Sequence, residues 1–142
     1  MAMRLRLTPE KPFFSMAGHL NHWIDHVLGA GYHKYAPGEA WSPSINLYEN
    51  ESGYFLVVDL AGVRGEEIIL NVEEDMIVLS GHRDMPIMQG CAEPLRVHLM
   101  EIDHGQFRRR LPLPKDVDVD AAMSQEATYR YGYLWVRLPK RA

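Results

Sequence analysis

A chain of 142 residues, 46% hydrophobic and 24% charged, has length for one domain with a real core and some appendages, and not for two independent domains. It has no apolar run long enough for a membrane span, and its net charge of −4, with basic residues scattered apart from Arg108-Arg109-Arg110, provides no electropositive footprint for nucleic acid. The single cysteine, Cys91, excludes an intramolecular disulfide, and the opening Met-Ala-Met-Arg-Leu-Arg leads into no signal-peptide core, so a reducing, cytoplasmic location is expected.

Residues 1–40 read as an N-terminal arm. Phe13, Met16, Ala17, Leu20, Trp23, Ile24, Val27 and Leu28 recur at three- and four-residue spacing, which predicts an amphipathic helix starting near Ser15. A helix this short is not stable alone in water, so its apolar stripe needs the domain, another subunit or a bound protein as a partner. A linker follows, at Gly29-Ala30-Gly31 and Ala36-Pro37-Gly38.

From residue 41 to 140 the period falls from 3.6 to 2. Ile45 and Leu47, then Tyr54, Leu56, Val58 and Leu60, begin a series of short strands. Others are predicted at Ile68-Leu70-Val72, Met76 to Arg83, Leu95 to Ile102, Gln106 to Leu111, Met123 to Ala127 and Leu134-Val136-Leu138. Short strands separated by turns, with no helix pattern between them, predict an all-β fold, an immunoglobulin-like antiparallel β-sandwich carrying a short helical N-terminal arm. The segment Asp84 to Pro94 holds Met85, Ile87, Met88 and Cys91. Such a loop needs a cover, so it either folds over its own sandwich or carries the next strand to a neighbour, and the latter would build a homodimer by strand exchange through residues 84–104.

Several motifs occur in register. Trp41-Ser42-Pro43 opens the domain, Asp59-Leu60-Ala61-Gly62 makes a turn, and Ile77-Val78-Leu79-Ser80-Gly81-His82-Arg83 forms a strand. Glu101 precedes Gly105-Gln106-Phe107-Arg108-Arg109-Arg110-Leu111-Pro112-Leu113-Pro114, and Ala127-Thr128-Tyr129-Arg130-Tyr131-Gly132-Tyr133-Leu134 and Leu138-Pro139-Lys140 follow. In this order residues 41–140 resemble the α-crystallin domain of small heat-shock proteins, with Ala61 where the family's turn has proline. The resemblance implies an ATP-independent chaperone, a holdase that binds partly unfolded proteins and prevents their aggregation. In agreement with this, the chain contains no P-loop and no G-x-S-x-G turn.

The resemblance also implies site residues. Strand alternation sets Arg109 on the side of Phe107 and Leu111, where a guanidinium needs a carboxylate or carbonyl partner, and the family's matching arginine lies at a dimer interface; Arg109, Glu101, Phe107 and Trp41 are the interface residues expected. In the family a groove bordered by the strands matching Ile68, Leu70, Val72 and Met123, Ala127 accepts an Ile-x-Ile tail. Only Arg141 and Ala142 follow Lys140, a vestigial tail, so another occupant is expected by strand addition. Leu5-Arg6-Leu7 has the required spacing and is a candidate substitute tail. The arm residues Phe13, Phe14, Leu20, Trp23, Ile24 and Val27 are the expected client contacts.

No catalytic, cofactor or metal residue is assigned. His19, His22 and His26 lie on the arm's polar face, with His22 and His26 at i, i+4, but no further ligand accompanies them; a modest pH response is the plainer reading. On a strand, His98, Glu101 and His104 alternate faces and diverge. Glu66-Glu67 and Glu73-Glu74-Asp75 read as solvated turns. Trp135 alternates outward from Leu134 and Val136. The rival functions are a subunit that co-assembles with a longer small heat-shock paralogue, a co-chaperone with a CS-type sandwich, and a metal-dependent hydrolase, for which no convergent ligands occur.

Overall fold

The computed structural model describes residues 4–7, 40–88, 90 and 93–142. The predicted arm helix, its client contacts and His19, His22 and His26 lie outside these residues, as does Cys91. Eight strands are formed: β1 (Arg4–Leu7), β2 (Ile45–Asn50), β3 (Gly53–Asp59), β4 (Ile69–Glu73), β5 (Met76–Arg83), β6 (Gly105–Pro112), β7 (Glu126–Arg130) and β8 (Tyr133–Pro139). One helix, α1 (Val119–Ser124), precedes β7.

The strands make two sheets, ordered β1-β7-β8-β3-β2 and β4-β5-β6. All pairs are antiparallel except β1 with β7. Alternation decides what each strand buries. Leu56 and Val58 of β3, Leu134, Val136 and Leu138 of β8, and Ala127 and Tyr129 of β7 point into the interior. Leu70, Ile77, Leu79 and Phe107 meet them from the smaller sheet, and all belong to one core with Trp41, Leu60, Val63 and Val117. The sandwich expected from the sequence is therefore present.

Three predicted strands are corrected. Residues 93–104 contain no strand: the stretch Leu95 to Ile102 pairs with no strand among the described residues, and Leu99 and Ile102 are left exposed. The strand placed at Met123 to Ala127 begins only at Glu126, because Met123 belongs to α1. Asp118 caps that helix by accepting the Ala121 N–H at 3.0 Å, and Ala121 and Ala122 favour helix locally. Ile68, expected as a strand residue, instead closes the 3-10 turn Gly65–Glu67, and β4 starts one residue later.

The turns carry specific chemistry. β7 and β8 are joined through Tyr131 and Gly132, with φ of 54° and 78°, the left-handed pair that matches strand twist in a two-residue hairpin. Tyr129 reaches from β7 to the Leu60 and Val63 carbonyls at 2.6 and 2.7 Å, sharing one hydroxyl proton between them. Ala61, where a proline stands in the motif, keeps an N–H at 3.4 Å from Asp59 Oδ1. Gly81 lies under Phe107: a Cβ there would come within 2.5 Å of the ring's Cζ and would collide with the Glu67 carbonyl. Both obstacles are held by their own packing, so Gly81→Ala is expected to destabilise the fold by about 1–3 kcal/mol and to lower Tm by roughly 4 °C or more; an unchanged calorimetric Tm would show that the site has room.

At the open end of β3, the Tyr54 hydroxyl donates to Asp116 Oδ1 at 2.7 Å, and Lys140 Nζ pairs with Glu49 at 2.6 Å. The hydrogen bond to Asp116, then partial desolvation and the charges of Asp116 and Glu49, push the Tyr54 phenol up from 10.0 to about 12. The Lys140 ammonium is likewise raised, first by its bond to Glu49. A raised folded-state value means that the native protein retains the Tyr54 proton, so this contribution to stability is complete below pH 10 and disappears as pH rises towards 12. Between pH 9 and 11, phenolate absorbance of the parent and of Tyr54→Phe should therefore rise equally; one tyrosine's worth of extra absorbance in the parent would contradict the assignment.

Candidate functional site

A two-sheet sandwich ends in strand edges, each a row of N–H and C=O groups available to another strand. The edge of β7 is occupied. β1 lies along it in parallel register, Arg4 opposite Glu126, Leu5 opposite Ala127, Arg6 opposite Thr128 and Leu7 opposite Tyr129. The strand forms where Leu5-Arg6-Leu7 supplies a short alternating stretch. Addition thus takes place on β7, while β4 is an edge of the smaller sheet. Of the expected groove residues, Ile68 and Leu70 are buried, Val72 is half-buried, Ala127 is buried in β7, and Met123 stands half-buried on α1.

The opposite edge is β2. Leu47, Tyr48, Glu49 and Asn50 are exposed along it, with Leu47 at 40% and Tyr48 at 55%. The segment that should supply a strand by exchange, Leu95 to Ile102, is the one with no strand of its own, and it exposes Leu99 at 76% and Ile102 at 60%. Met85, at the other end of the loop, is buried.

At the edge of β6, Trp41 makes an isolated parallel bridge to Phe107. Its N–H donates to the Gln106 carbonyl and its carbonyl accepts from the Arg108 N–H, both at 3.0 Å. Trp41 and Phe107 pack at 5.3 Å and are 6% and 1% exposed, so both belong to the chain's own core and brace this edge from beneath. Arg83 covers Trp41 with its guanidinium 4.0 Å from the ring centroid, donating also to the Asp103 and Ala61 carbonyls. Arg83 is the functional-motif residue whose role sequence reasoning left unassigned; its position two residues after Gly81 was the available signal. Arg109 sits half-buried on the side of Phe107 and Leu111, as alternation predicts, and donates to the Pro43 carbonyl at 3.3 Å and to Ser42 Oγ at 3.5 Å. Glu101 is exposed on the segment before β6.

Other candidates come apart. His98 and Glu101 are exposed and His104 is buried, and among the described residues no group of three or more His, Cys, Asp or Glu is placed to hold a metal ion. No helix among the described residues is long and apolar enough to cross a membrane. Glu66, Glu73, Glu74 and Asp75 are exposed around turns, and Glu67 pairs with Arg64 at 2.9 Å.

The two sheets with their exposed and occupied edges form an α-crystallin-like β-sandwich. The chain belongs to the Hsp20/alpha crystallin family, whose model matches residues 46–142. It is therefore a small heat-shock protein, a chaperone built on the α-crystallin β-sandwich. Among its relatives, small heat shock protein C4 of Rickettsia felis is 26% identical over 85% of this chain and 71% of its own length. A 17.7 kDa class II heat shock protein of Arabidopsis thaliana is 30% identical over 77% of this chain and 67% of its own. The solved structure of HSP18.5 from E. histolytica aligns with a TM-score of 0.61 at 30% identity, over 72% of this chain and 91% of that one.

Proposed function

We propose that the chain is an ATP-independent holdase, whose working surface is the β7 edge together with the apolar side chains of the N-terminal arm. A client that is losing its own core offers extended apolar segments. Such a segment can add to a strand edge through main-chain hydrogen bonds, which any sequence provides, while its side chains are covered by Phe13, Phe14, Leu20, Trp23, Ile24 and Val27. Each large side chain buried contributes roughly 1.5–3 kcal/mol, so a few contacts hold a client reversibly without fuel. The observation that carries this reading is that, among the described residues, the β7 edge is closed by the four-residue strand β1. A cover this short offers few hydrogen bonds to displace, and Leu5 and Leu7 act in it as a substitute tail.

The building block is a homodimer in which the segment within 84–104 leaves its own sandwich and pairs with the β2 edge of the partner. Two observations support it: an exposed β2 edge with no strand paired to it among the described residues, and a segment that exposes Leu99 and Ile102. Arg109 stands beside Ser42 and Pro43, the residues leading into β2, and there meets Glu101 of the exchanged segment, with Trp41 and Phe107 as the rigid floor. Losing one member of such an ion pair leaves the other charge partly desolvated. Arg109→Ala is expected to raise the dimer dissociation constant about tenfold, roughly 1.4 kcal/mol, by sedimentation equilibrium; an unchanged constant would remove Arg109 from the interface.

Light scattering of a heat-labile client tests the activity itself. A twofold molar excess of this protein should suppress at least half of the scattering with no nucleotide present. Full scattering at excess protein, with the dimer intact by native mass measurement, would sink the holdase reading and indicate an assembly subunit of a longer paralogue.

A further inference from the structure

The occupied edge strand β7 carries its charges in a particular order. Ala127 and Tyr129 are buried, while Glu126 and Arg130 at the two ends are exposed, with half-buried Thr128 between them. Alternation sets the carboxylate and the guanidinium on one face of the strand, about 13 Å apart at a rise of roughly 3.3 Å per residue. Glu126 makes no ion pair among the described residues. Arg130 donates to the Tyr131 hydroxyl at 2.8 Å and lies 4.5 Å from that ring's centroid, a contact between exposed groups that leaves further N–H donors of its fork available.

This order gives the edge a direction. Residues in register on paired strands lie side by side, where opposite charges attract and like charges repel. β1 runs parallel to β7, with Arg4 opposite Glu126 and with Leu5 and Leu7 opposite the buried Ala127 and Tyr129. A segment one residue longer would bring its fifth residue opposite Arg130. The residue that follows Leu7 in the sequence, Thr8, is neutral, so β1 has an opposite charge in register with only one of the two. A full match needs Lys or Arg, an apolar residue, any residue, a second apolar residue, and then Asp or Glu. None of the 15 Lys and Arg residues of this chain begins such a segment with aliphatic or aromatic residues at both apolar positions. The best-matched occupant is therefore another polypeptide.

We propose that Glu126 and Arg130 are specificity-determining residues, which select from unfolding clients the extended segments that are basic at the N-terminal end and acidic at the C-terminal end, and which make addition to β7 parallel. This selection rests on the holdase reading and names the class of client segment that displaces β1. Such a segment meets both charges where β1 meets one, which gives it an advantage over the built-in strand. A parallel segment of reversed order sets like charges opposite each other at both ends.

Fluorescence anisotropy with two labelled peptides of identical composition tests it, one with the core Lys-Ile-Ser-Ile-Asp and the other with Asp-Ile-Ser-Ile-Lys. Both are added to the full chain carrying Leu5→Pro/Leu7→Pro, whose first strand no longer competes. The Lys-first peptide should bind about fivefold more tightly. The Asp-first peptide could meet both charges only by running antiparallel, so its weaker binding also reports direction. Adding Glu126→Arg/Arg130→Glu should invert the order of affinity without lowering Tm, because both positions are exposed. At about 1 M salt the preference of the unswapped chain should disappear, since exposed charges are then screened. Equal affinities at low salt, tighter binding of the Asp-first peptide, or binding of neither peptide overturns the proposal, as does a preference that the swapped chain retains. Client light scattering remains a separate readout. Suppression of aggregation without a peptide preference removes the charge rule and leaves the holdase; a preference without suppression removes the holdase and leaves a peptide site.

Discussion

The structure depends on how strand edges are satisfied. Every backbone N–H and C=O at an edge needs a partner or water, and this sandwich treats its edges differently. β1 closes β7 with a short parallel strand. Trp41 closes part of β6 with two backbone hydrogen bonds, and its ring is fixed between Phe107 and Arg83. β2 remains exposed, with Leu47 and Tyr48 along it. The core of Leu56, Val58, Leu134, Val136 and Phe107 lies between the two sheets that carry these edges.

Much of this was legible in the sequence, for particular reasons. Ile45 to Leu60, Gln106 to Leu111 and Leu134 to Leu138 alternate, so these strands and the side of β6 on which Arg109 falls follow from spacing, whereas Met76 to Arg83 is a strand with the consecutive residues Ile77, Val78 and Leu79 all buried. Met123 was misplaced because a capped six-residue helix built on Asp118, Ala121 and Ala122 overrides a weak period-two signal. Leu95 to Ile102 has the pattern of a strand but pairs with none among the described residues, and pattern alone does not specify a strand's partner. The parallel pairing of Leu5-Arg6-Leu7 with β7 could be suspected from two leucines, but its partner strand and register are tertiary facts. The roles of Arg83, Tyr54 and Lys140 were hidden for the same reason: each is defined by groups far away in sequence.

A shared logic connects the arm, the edge and the family. On the holdase reading proposed above, the chain offers apolar surface and strand edges to unfolding proteins, and such surfaces endanger the protein's own solubility if left open. A four-residue strand over β7 is a cover of limited strength. On that reading heat would shift such a cover towards the released state as a population change, with no nucleotide required. The weakness of β1 is therefore consistent with its position: a long, fully zipped strand would close the edge permanently.

The most direct test of this account is amide hydrogen exchange in β7. The amides of residues 126–130 that point away from β8 should exchange slowly in the parent. In a Leu5→Pro/Leu7→Pro variant, whose first strand can no longer pair, they should exchange at least tenfold faster, while β3 and β5 keep their protection. Equal exchange of these amides in the two proteins would show that β1 does not close the edge, and would contradict the account at its base.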